Sequence, residues 1–443
     1  MFLRFKRMSG FDVWDRAGYD MHGLPTENNV RKKLKLFTKK EIENYGLAKF
    51  NDECEKFCVD MMHVMNKTFT DLGIWMDFEH AYQPISREYI SGEWFLIKSA
   101  HDKKRLYEGL RTMSWCPSCQ TNLAKHELEY ATVTDESIFV KLKVKDKSNE
   151  YLIIWTTTPW TIPMNLAVMV NPELDYVRAN VEGEVWIMAK ALAGTLVSAV
   201  AEKKMSILEE FKGETLEGLE YTHPFADTIH DYKEMKVKHP KLHTVILSQE
   251  YVDTSAGSGL VHCAPGCGPE DYEVGYRNGL PAWNVVDERG SFPASMKEFA
   301  GFIAKKDDSK FIDALKKRNA IIATTKVSHD YGHCQRCHHA IIFRTSKQWF
   351  FKVEDLKEQM IEANKNVKWV PQAAFNAFDS WLKNLRDNSI TKQNFWGTPV
   401  PIWKCSQCDK HDVYGSLDEL EAKTNVKVTK LHRPWIDEVT YAC

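Results

Sequence analysis

The stretch Trp155-Thr156-Thr157-Thr158-Pro159-Trp160-Thr161-Ile162-Pro163-Met164-Asn165 decides how this chain is read. Its lead-in, Tyr151-Leu152-Ile153-Ile154-Trp155, is a short apolar run that reads as a buried strand. Three consecutive hydroxyls follow, then a proline with no N–H to offer a sheet. Threonines at a strand end, closed by two prolines and walled by two tryptophans, suit a small rigid polar pocket. An ordinary threonine run inside a strand is the alternative these residues leave open.

A second stretch has the same character: Gly257-Ser258-Gly259-Leu260-Val261-His262-Cys263-Ala264-Pro265-Gly266-Cys267-Gly268-Pro269-Glu270-Asp271-Tyr272. Its glycines and prolines let backbone approach a ligand closely. Asp271 falls where a loop should enter a helix, either as a carboxylate at a pocket edge or as a helix N-cap. His262 reads equally as a ligand contact or as a satisfied core histidine.

Both strings resemble the editing motifs of the isoleucyl-tRNA synthetases, a family of class I aminoacyl-tRNA synthetases. The Thr-Thr-Thr-Pro-Trp form points to the isoleucine members rather than to valyl or leucyl relatives. The resemblance implies that Thr156, Thr157, Thr158, Trp155 and Asn165 shape a pocket, and that Asp271 holds the α-amino group of an aminoacyl ester. Valine lacks one methylene of isoleucine, and burial of a methylene is worth about 1 kcal/mol. Selection in one binding step therefore leaks, and this family is the standing example of a second, hydrolytic sieve. No Ser–His–Asp or Cys–His pairing is evident, so attack by a positioned water is expected. Cys263 and Cys267 are the alternative nucleophiles.

Around these strings the pattern changes period. Ile138, Val140, Leu142 and Val144 alternate with polar neighbours, Phe139 excepted, and the polar turn Lys145–Glu150 makes a hairpin with the Tyr151 run. A second hairpin is expected around Glu182-Gly183, between Tyr176–Val181 and Val185–Ala189. A β-rich domain at 138–325 thus separates residues 1–137 from 326–443. Upstream, Phe50, Cys54, Phe57, Cys58, Met61, Met62, Met65 and Phe69 trace a helical apolar face ending at Gly73, with Cys54 and Cys58 as core thiols. Ser86 is the expected N-cap of a helix through Tyr89, Trp94 and Ile97 to Leu106, ended by Gly109.

Six of the eleven cysteines form C-x-x-C pairs: Cys116/Cys119, Cys334/Cys337 and Cys405/Cys408. This spacing suits tetrahedral zinc better than disulfides in an intracellular enzyme. The first two pairs flank the β-rich region and are too far apart for a local finger, so a metal uniting them would clamp its stem. Two unrelated thiol pairs are the alternative. The third pair has only Cys443 after it, with His411 or His432 as substitutes, and reads as a half-built site. The formal charge of −2 over 443 residues gives no global basic signature, leaving RNA binding to local patches. No signal peptide or membrane span is legible, and a soluble cytoplasmic protein is expected.

Towards the N-terminus, Gly18-Tyr19-Asp20-Met21-His22-Gly23-Leu24-Pro25-Thr26-Glu27 resembles the family segment downstream of the HIGH signature. The resemblance implies that Asp20 binds the amino group of isoleucine, with Gly18, His22 and Glu27 beside it. The run Asp387–Pro401 resembles DW-x-IS-R-Q-R-YWG-x-P-x-P, which adds Gln393 and Trp396 to the substrate site. Here Asn388 replaces the tryptophan, and Lys392 and Asn394 replace two arginines. Lysine does not reproduce a bidentate guanidinium contact, so positioning of ATP or the tRNA end is put in doubt. HIGH should precede residue 1 and KMSKS should follow residue 443, so a part of a longer enzyme is expected.

The full expectation is an α/β chain: a partial Rossmann-type catalytic domain interrupted by a β-rich editing domain on a zinc-stabilised stem. The parent would ligate isoleucine to its tRNA using ATP with Mg2+, as a monomer, without a membrane partner, and would edit valyl-tRNA. A decayed, non-catalytic, zinc-stabilised tRNA-binding module is the second reading.

Overall fold

The computed structural model describes residues 1–443, the His126 side chain excepted. The chain forms two units, one of Leu110–Lys347 and one of Met1–Gly109 with Gln348–Cys443. The first encloses the whole interval 138–325.

Unit Leu110–Lys347 is built on a ten-stranded sheet. Its strands are β1 (Leu128–Val144), β2 (Glu150–Thr156), β3 (Ala167–Val170), β4 (Asp175–Val181), β5 (Glu184–Ala189), β6 (Met205–Lys212), β7 (Tyr221–Thr222), β8 (Thr244–Leu247), β9 (Val261–Cys263) and β10 (Ile321–Cys334). The main path runs β6-β4-β5-β2-β9-β3-β8, while β1 pairs with β2, β7 and β10. The polar turn after β1 sends the chain back antiparallel, Lys143 opposite Tyr151 and Ile138 opposite Thr156. Ile138, Val140, Leu142 and Val144 are buried, as their alternation requires. Phe139 breaks the alternation because its ring packs on Trp155, centroids 6.4 Å apart. The second hairpin joins β4 to β5 through Glu182 and Gly183, both at positive φ, the geometry a two-residue turn needs to match strand twist.

Strand β2 is the hinge of this architecture. Leu152, Ile153 and Ile154 are all buried, so the run is apolar because both faces of the strand are covered. Since β1 takes one edge of β2, its other edge is shared. The start pairs in parallel with β5 (Glu150 opposite Val185), and Trp155 pairs in parallel with Val261 of β9. Two adjacent parallel strands thus end together, and the segments leaving their carboxyl ends are the threonine string and the glycine-rich string.

In the other unit, Arg16–Gly18 lies parallel to Asp77–Tyr82, and parallel neighbours require a crossover, here helical. The helices between them include Leu24–Leu34 and Leu47–Asp71. The latter buries Phe50, Cys54, Cys58 and Met62 against Ala17, Tyr19, Met21, Val30 and Trp396, placing both thiols in the core. The helix after Ser86 starts where expected, Ser86 accepting from the Tyr89 N–H at 3.3 Å. It ends at Asp102, however, and not at Leu106. Lys104 turns left-handed (φ 56°), and Leu106 begins the strand Leu106–Cys116. Among the described residues no helix is long and apolar enough to cross a membrane.

Candidate functional site

The threonine string forms a ledge in which each hydroxyl has a different task. Thr156 ends β2, and its Oγ1 accepts the Thr158 N–H at 3.0 Å and lies 3.1 Å from Thr158 Oγ1. Pro159 opens the 3-10 helix Pro159–Met164. Thr161 donates to the Thr158 carbonyl at 2.8 Å and lies 3.1 Å from His262 Nε2. That contact ties the ledge to β9. Thr157 is half-buried, and its hydroxyl alone of the three has no hydrogen bond among the described residues. The Trp155 indole donates to Ser137 Oγ at 3.1 Å, which fixes the wall beside the ledge.

Asp271 is not an N-cap. Gly268 caps the helix Pro269–Arg277, and Asp271 lies in its first turn, where the helix dipole favours a carboxylate. Its Oδ2 accepts the Ala264 N–H at 2.9 Å, leaving Oδ1 unpartnered among the described residues. Burial nevertheless pushes its pKa up to about 7 against that hydrogen bond, and Glu270 adds to the rise. A carboxylate held at this cost without a cation beside it is suited to a ligand that brings one. His262 is 7% exposed, held neutral by burial with its pKa lowered to about 4, and its Nδ1 has no partner among the described residues. Cys263 and Cys267 are buried, and burial lifts both thiols well above their usual pKa. They are protonated at neutral pH, and only a thiolate attacks.

Asn165 lies behind the ledge. Its Nδ2 donates to the Ala167 carbonyl at 2.8 Å, and its Oδ1 accepts from the Tyr221 hydroxyl. It fixes the junction of the 3-10 helix with β3. Gly259 lets the glycine-rich string close on the end of β5: at φ +75°, a Cβ there would lie 2.2 Å from Ala189 Cβ. Gly259→Ala is expected to cost about 1–3 kcal/mol from overpacking and left-handed strain, measured as a shifted urea unfolding midpoint at unchanged m-value.

Cys116, Cys119, Cys334 and Cys337 converge, their sulfurs all within 4.8 Å of one another. Cys116 and Cys337 are 3.4 Å apart, and the Cys119 N–H points at Cys116 Sγ at 3.3 Å. Four thiolates around a metal at about 2.3 Å would be roughly 3.8 Å apart, so the donor set fits a closed tetrahedral site. Cys405, Cys408 and Cys443 form a second group within 4.8 Å, two of the three exposed. Neither His411 nor His432 belongs to it. These clusters are suited to a metal.

The other unit gathers most of its expected residues around Trp396. Glu27 is buried and its Oε1 accepts the Trp396 N–H at 2.7 Å. Burial raises its pKa, while hydrogen bonds from the Trp396 and Phe395 backbone oppose the rise. The Trp396 indole donates to the Met21 carbonyl at 2.7 Å. His22 Nε2 lies 2.8 Å from His432 Nε2, and the His432 ring stacks on Trp396 at 4.2 Å. Burial lowers His22 to about 4, with Asp20 partly offsetting it, and lowers His432 to about 3. Asp20 itself is exposed, and Gln393 is half-buried. Gly18 packs under Tyr82, whose Cδ1 would stand 3.0 Å from an added Cβ. His432 joins this group through the fold alone, more than 400 residues from its partner, and no local pattern marks it.

The family model for class I tRNA synthetases (I, L, M and V) matches residues 1–440. The chain belongs to this family. As a class I synthetase chain it is 39% identical to the isoleucine–tRNA ligase of Methanocaldococcus jannaschii, covering 100% of this chain and 44% of that relative. It is 41% identical to that of Archaeoglobus fulgidus (100% and 43%) and 42% identical to that of Pyrococcus furiosus (95% and 40%). The synthetase chain therefore spans less than half the length of these curated relatives. Among solved structures, the cytosolic leucyl-tRNA synthetase editing domain of P. falciparum matches 42% of this chain and 82% of its own, with 11% identity and a TM-score of 0.25.

Proposed function

We propose that this chain is part of an isoleucine–tRNA ligase and that unit Leu110–Lys347 is its editing domain, hydrolysing valine mischarged onto isoleucine tRNA. One observation carries the reading: β2 and β9 end side by side, and the Thr161–His262 contact joins the threonine ledge to the segment presenting Asp271. Ligands of open sheets bind beyond the carboxyl ends of adjacent parallel strands. Asp271 Oδ1 takes the ammonium of the aminoacyl ester, and the Thr157 hydroxyl and the Thr156–Thr158 pair contact the ester and ribose end. His262 and the ledge limit the space for the side chain. With both neighbouring thiols protonated, the nucleophile is a water held in position.

The other unit is a partial Rossmann-type catalytic domain, in which Asp20, beside His22 and Trp396, binds the amino group of isoleucine. The longer protein would consume ATP with Mg2+ and charge isoleucine tRNA in the cytoplasm as a monomer. Zinc at Cys116, Cys119, Cys334 and Cys337 supplies a structural crosslink when bound, and Cys405, Cys408 and Cys443 offer a second, weaker site. Support comes from the closed geometry of the four sulfurs, since an all-thiolate shell leaves no position for a reacting water.

Deacylation of valyl- and isoleucyl-tRNA, both on isoleucine tRNA, is the direct test. Release of valine at least about tenfold faster than isoleucine is expected. A folded, metal-loaded chain that binds this tRNA yet releases neither amino acid would instead favour the non-catalytic binding module.

A further inference from the structure

The ledge is held from behind by a set of aromatic rings that no pocket role accounts for. The 3-10 helix Pro159–Met164 cannot fix its own geometry well, because Pro159 and Pro163 have no N–H. The Thr161 N–H to the Thr158 carbonyl (3.1 Å) and the Asn165 N–H to the Ile162 carbonyl (2.9 Å) close its two ends. Side chains from the segment 221–243 add further bonds to its carbonyls and to that of Asn165. His223 Nε2 lies 2.9 Å from the Ile162 carbonyl, the Tyr232 hydroxyl donates to the Pro163 carbonyl at 2.6 Å, and His243 Nε2 lies 3.3 Å from the Asn165 carbonyl. Tyr221 donates to the Asn165 side chain.

The hydrogen-bond roles are fixed in direction. The Phe225 N–H points at His223 Nδ1 at 3.1 Å, so Nδ1 accepts and the proton sits on Nε2, facing Ile162. A protonated imidazole would break that arrangement, and burial with His243 close by holds His223 neutral. The rings also lock one another. His243 stacks on His223 at 5.2 Å and meets Tyr232 edge-on at 4.6 Å, while Tyr232 meets Trp283 at 5.7 Å. Ile162 and Pro163 adjoin Thr161, whose hydroxyl holds both the Thr158 carbonyl and His262. A shift of these carbonyls therefore moves both walls of the pocket together.

We propose that Tyr232 and His223 are specificity-determining positioning residues, which set the height of the threonine ledge through the Ile162 and Pro163 carbonyls. The proposal rests on reading that ledge as the valyl-ester pocket. A pocket that must refuse one methylene has a tolerance well under the width of a methyl group, so rigid support from behind is what such a sieve needs.

Tyr232→Phe removes one oxygen and keeps the ring. In the full chain it should lower kcat for valyl-tRNA about three- to tenfold with KM nearly unchanged, and reduce the valine-to-isoleucine hydrolysis ratio by a similar factor. Tyr331→Phe, which removes a hydroxyl donated to the Ile341 carbonyl beside the thiol cluster, should leave that ratio alone and serves as the stability control. Hydrogen exchange should quicken in the peptide covering 158–165 in the first variant only. An unchanged ratio and kcat in a folded Tyr232→Phe chain overturns the proposal, whatever its melting temperature. Should that variant not fold, His223→Asn, which can keep an acceptor for the Phe225 N–H and loses the contact with the Ile162 carbonyl, takes its place: a reduced ratio supports the proposal and an unchanged one overturns it. If the parent chain itself releases neither amino acid, the pocket reading fails and the proposal falls with it, a result seen before any variant is made.

Discussion

Asp271→Asn is expected to slow valyl-tRNA hydrolysis about a hundredfold while making the protein more stable at pH 8. On the proposed reading, the first effect follows from the loss of the carboxylate that meets the substrate ammonium. Breaking a desolvated, hydrogen-bonded charge pair costs roughly 2–5 kcal/mol. Asparagine keeps the acceptor for the Ala264 N–H, so the segment Ala264–Asp271 stays in place and the loss reports on charge.

The second effect follows from the sign of the pKa shift. Folding raises the Asp271 carboxyl to about 7 from an ordinary value near 3.8. Below about pH 4 both folded and unfolded chains carry the proton, and above about pH 7 neither does. Between these limits the folded chain binds more protons than the unfolded one, so stability falls as pH rises through the window. At pH 8 the parent bears the cost of an ionised carboxylate that is half-buried and partly screened by solvent, and the asparagine variant is spared it. Melting curves at pH 8 should place the variant about 2–4 °C above the parent, with the difference vanishing near pH 4. A variant that is inactive yet gains nothing at pH 8 would show that Asp271 is not desolvated in the free chain. Enhanced stability on removing a side chain is a sign that the side chain is kept for function.

How far the residues foretell this arrangement depends on the range of the interaction. The β1–β2 hairpin is readable because Ile138, Val140, Leu142 and Val144 repeat at the period of a strand, and the Glu182-Gly183 turn because few residues accept positive φ. The end of the helix after Ser86 is not: Trp94 and Ile97 continue a helical spacing to Leu106, and only a left-handed Lys104 interrupts it. Thr161 stands within the threonine string but looks like filler, since its value lies in reaching His262, 101 positions away. The ring cluster of Tyr221, His223, Tyr232 and His243 leaves no local pattern at all. Its members meet because the chain between β7 and β8 folds back under the ledge, which no window of sequence reports. Asn165 is legible as important, but burial and two side-chain hydrogen bonds give it a supporting position. Lys392 is exposed and Asn394 half-buried, on the segment leading into the Trp396 cluster.

The thiol clusters set up the other large effect. Cys334→Ser should lower the melting temperature of the metal-loaded chain by about 10 °C or more, whereas Cys408→Ser should change it by no more than about 2 °C. The four sulfurs of the first group come from two chain segments more than 200 residues apart, so a metal there closes a very long loop. Three of the four are buried in a small core with Leu123 and Ile341. Removing one thiolate opens the shell to water and weakens the hold on the metal, and a loss of at least about 3 kcal/mol of the folding free energy that structural metal binding supplies is expected; a unit of this size loses about 2–4 °C for each kcal/mol. The second group has three sulfurs, two of them exposed, and solvent or a chelator reaches an ion there directly. Metal analysis should therefore find about one equivalent that survives brief EDTA treatment in the parent and none in Cys334→Ser. An EDTA-resistant equivalent that persists in Cys334→Ser but disappears in Cys408→Ser would reverse the assignment, making the exposed group the tight site. If Cys334→Ser melts with the parent, the converging thiols contribute no structural crosslink, and the fold of unit Leu110–Lys347 rests on the ten-stranded sheet alone.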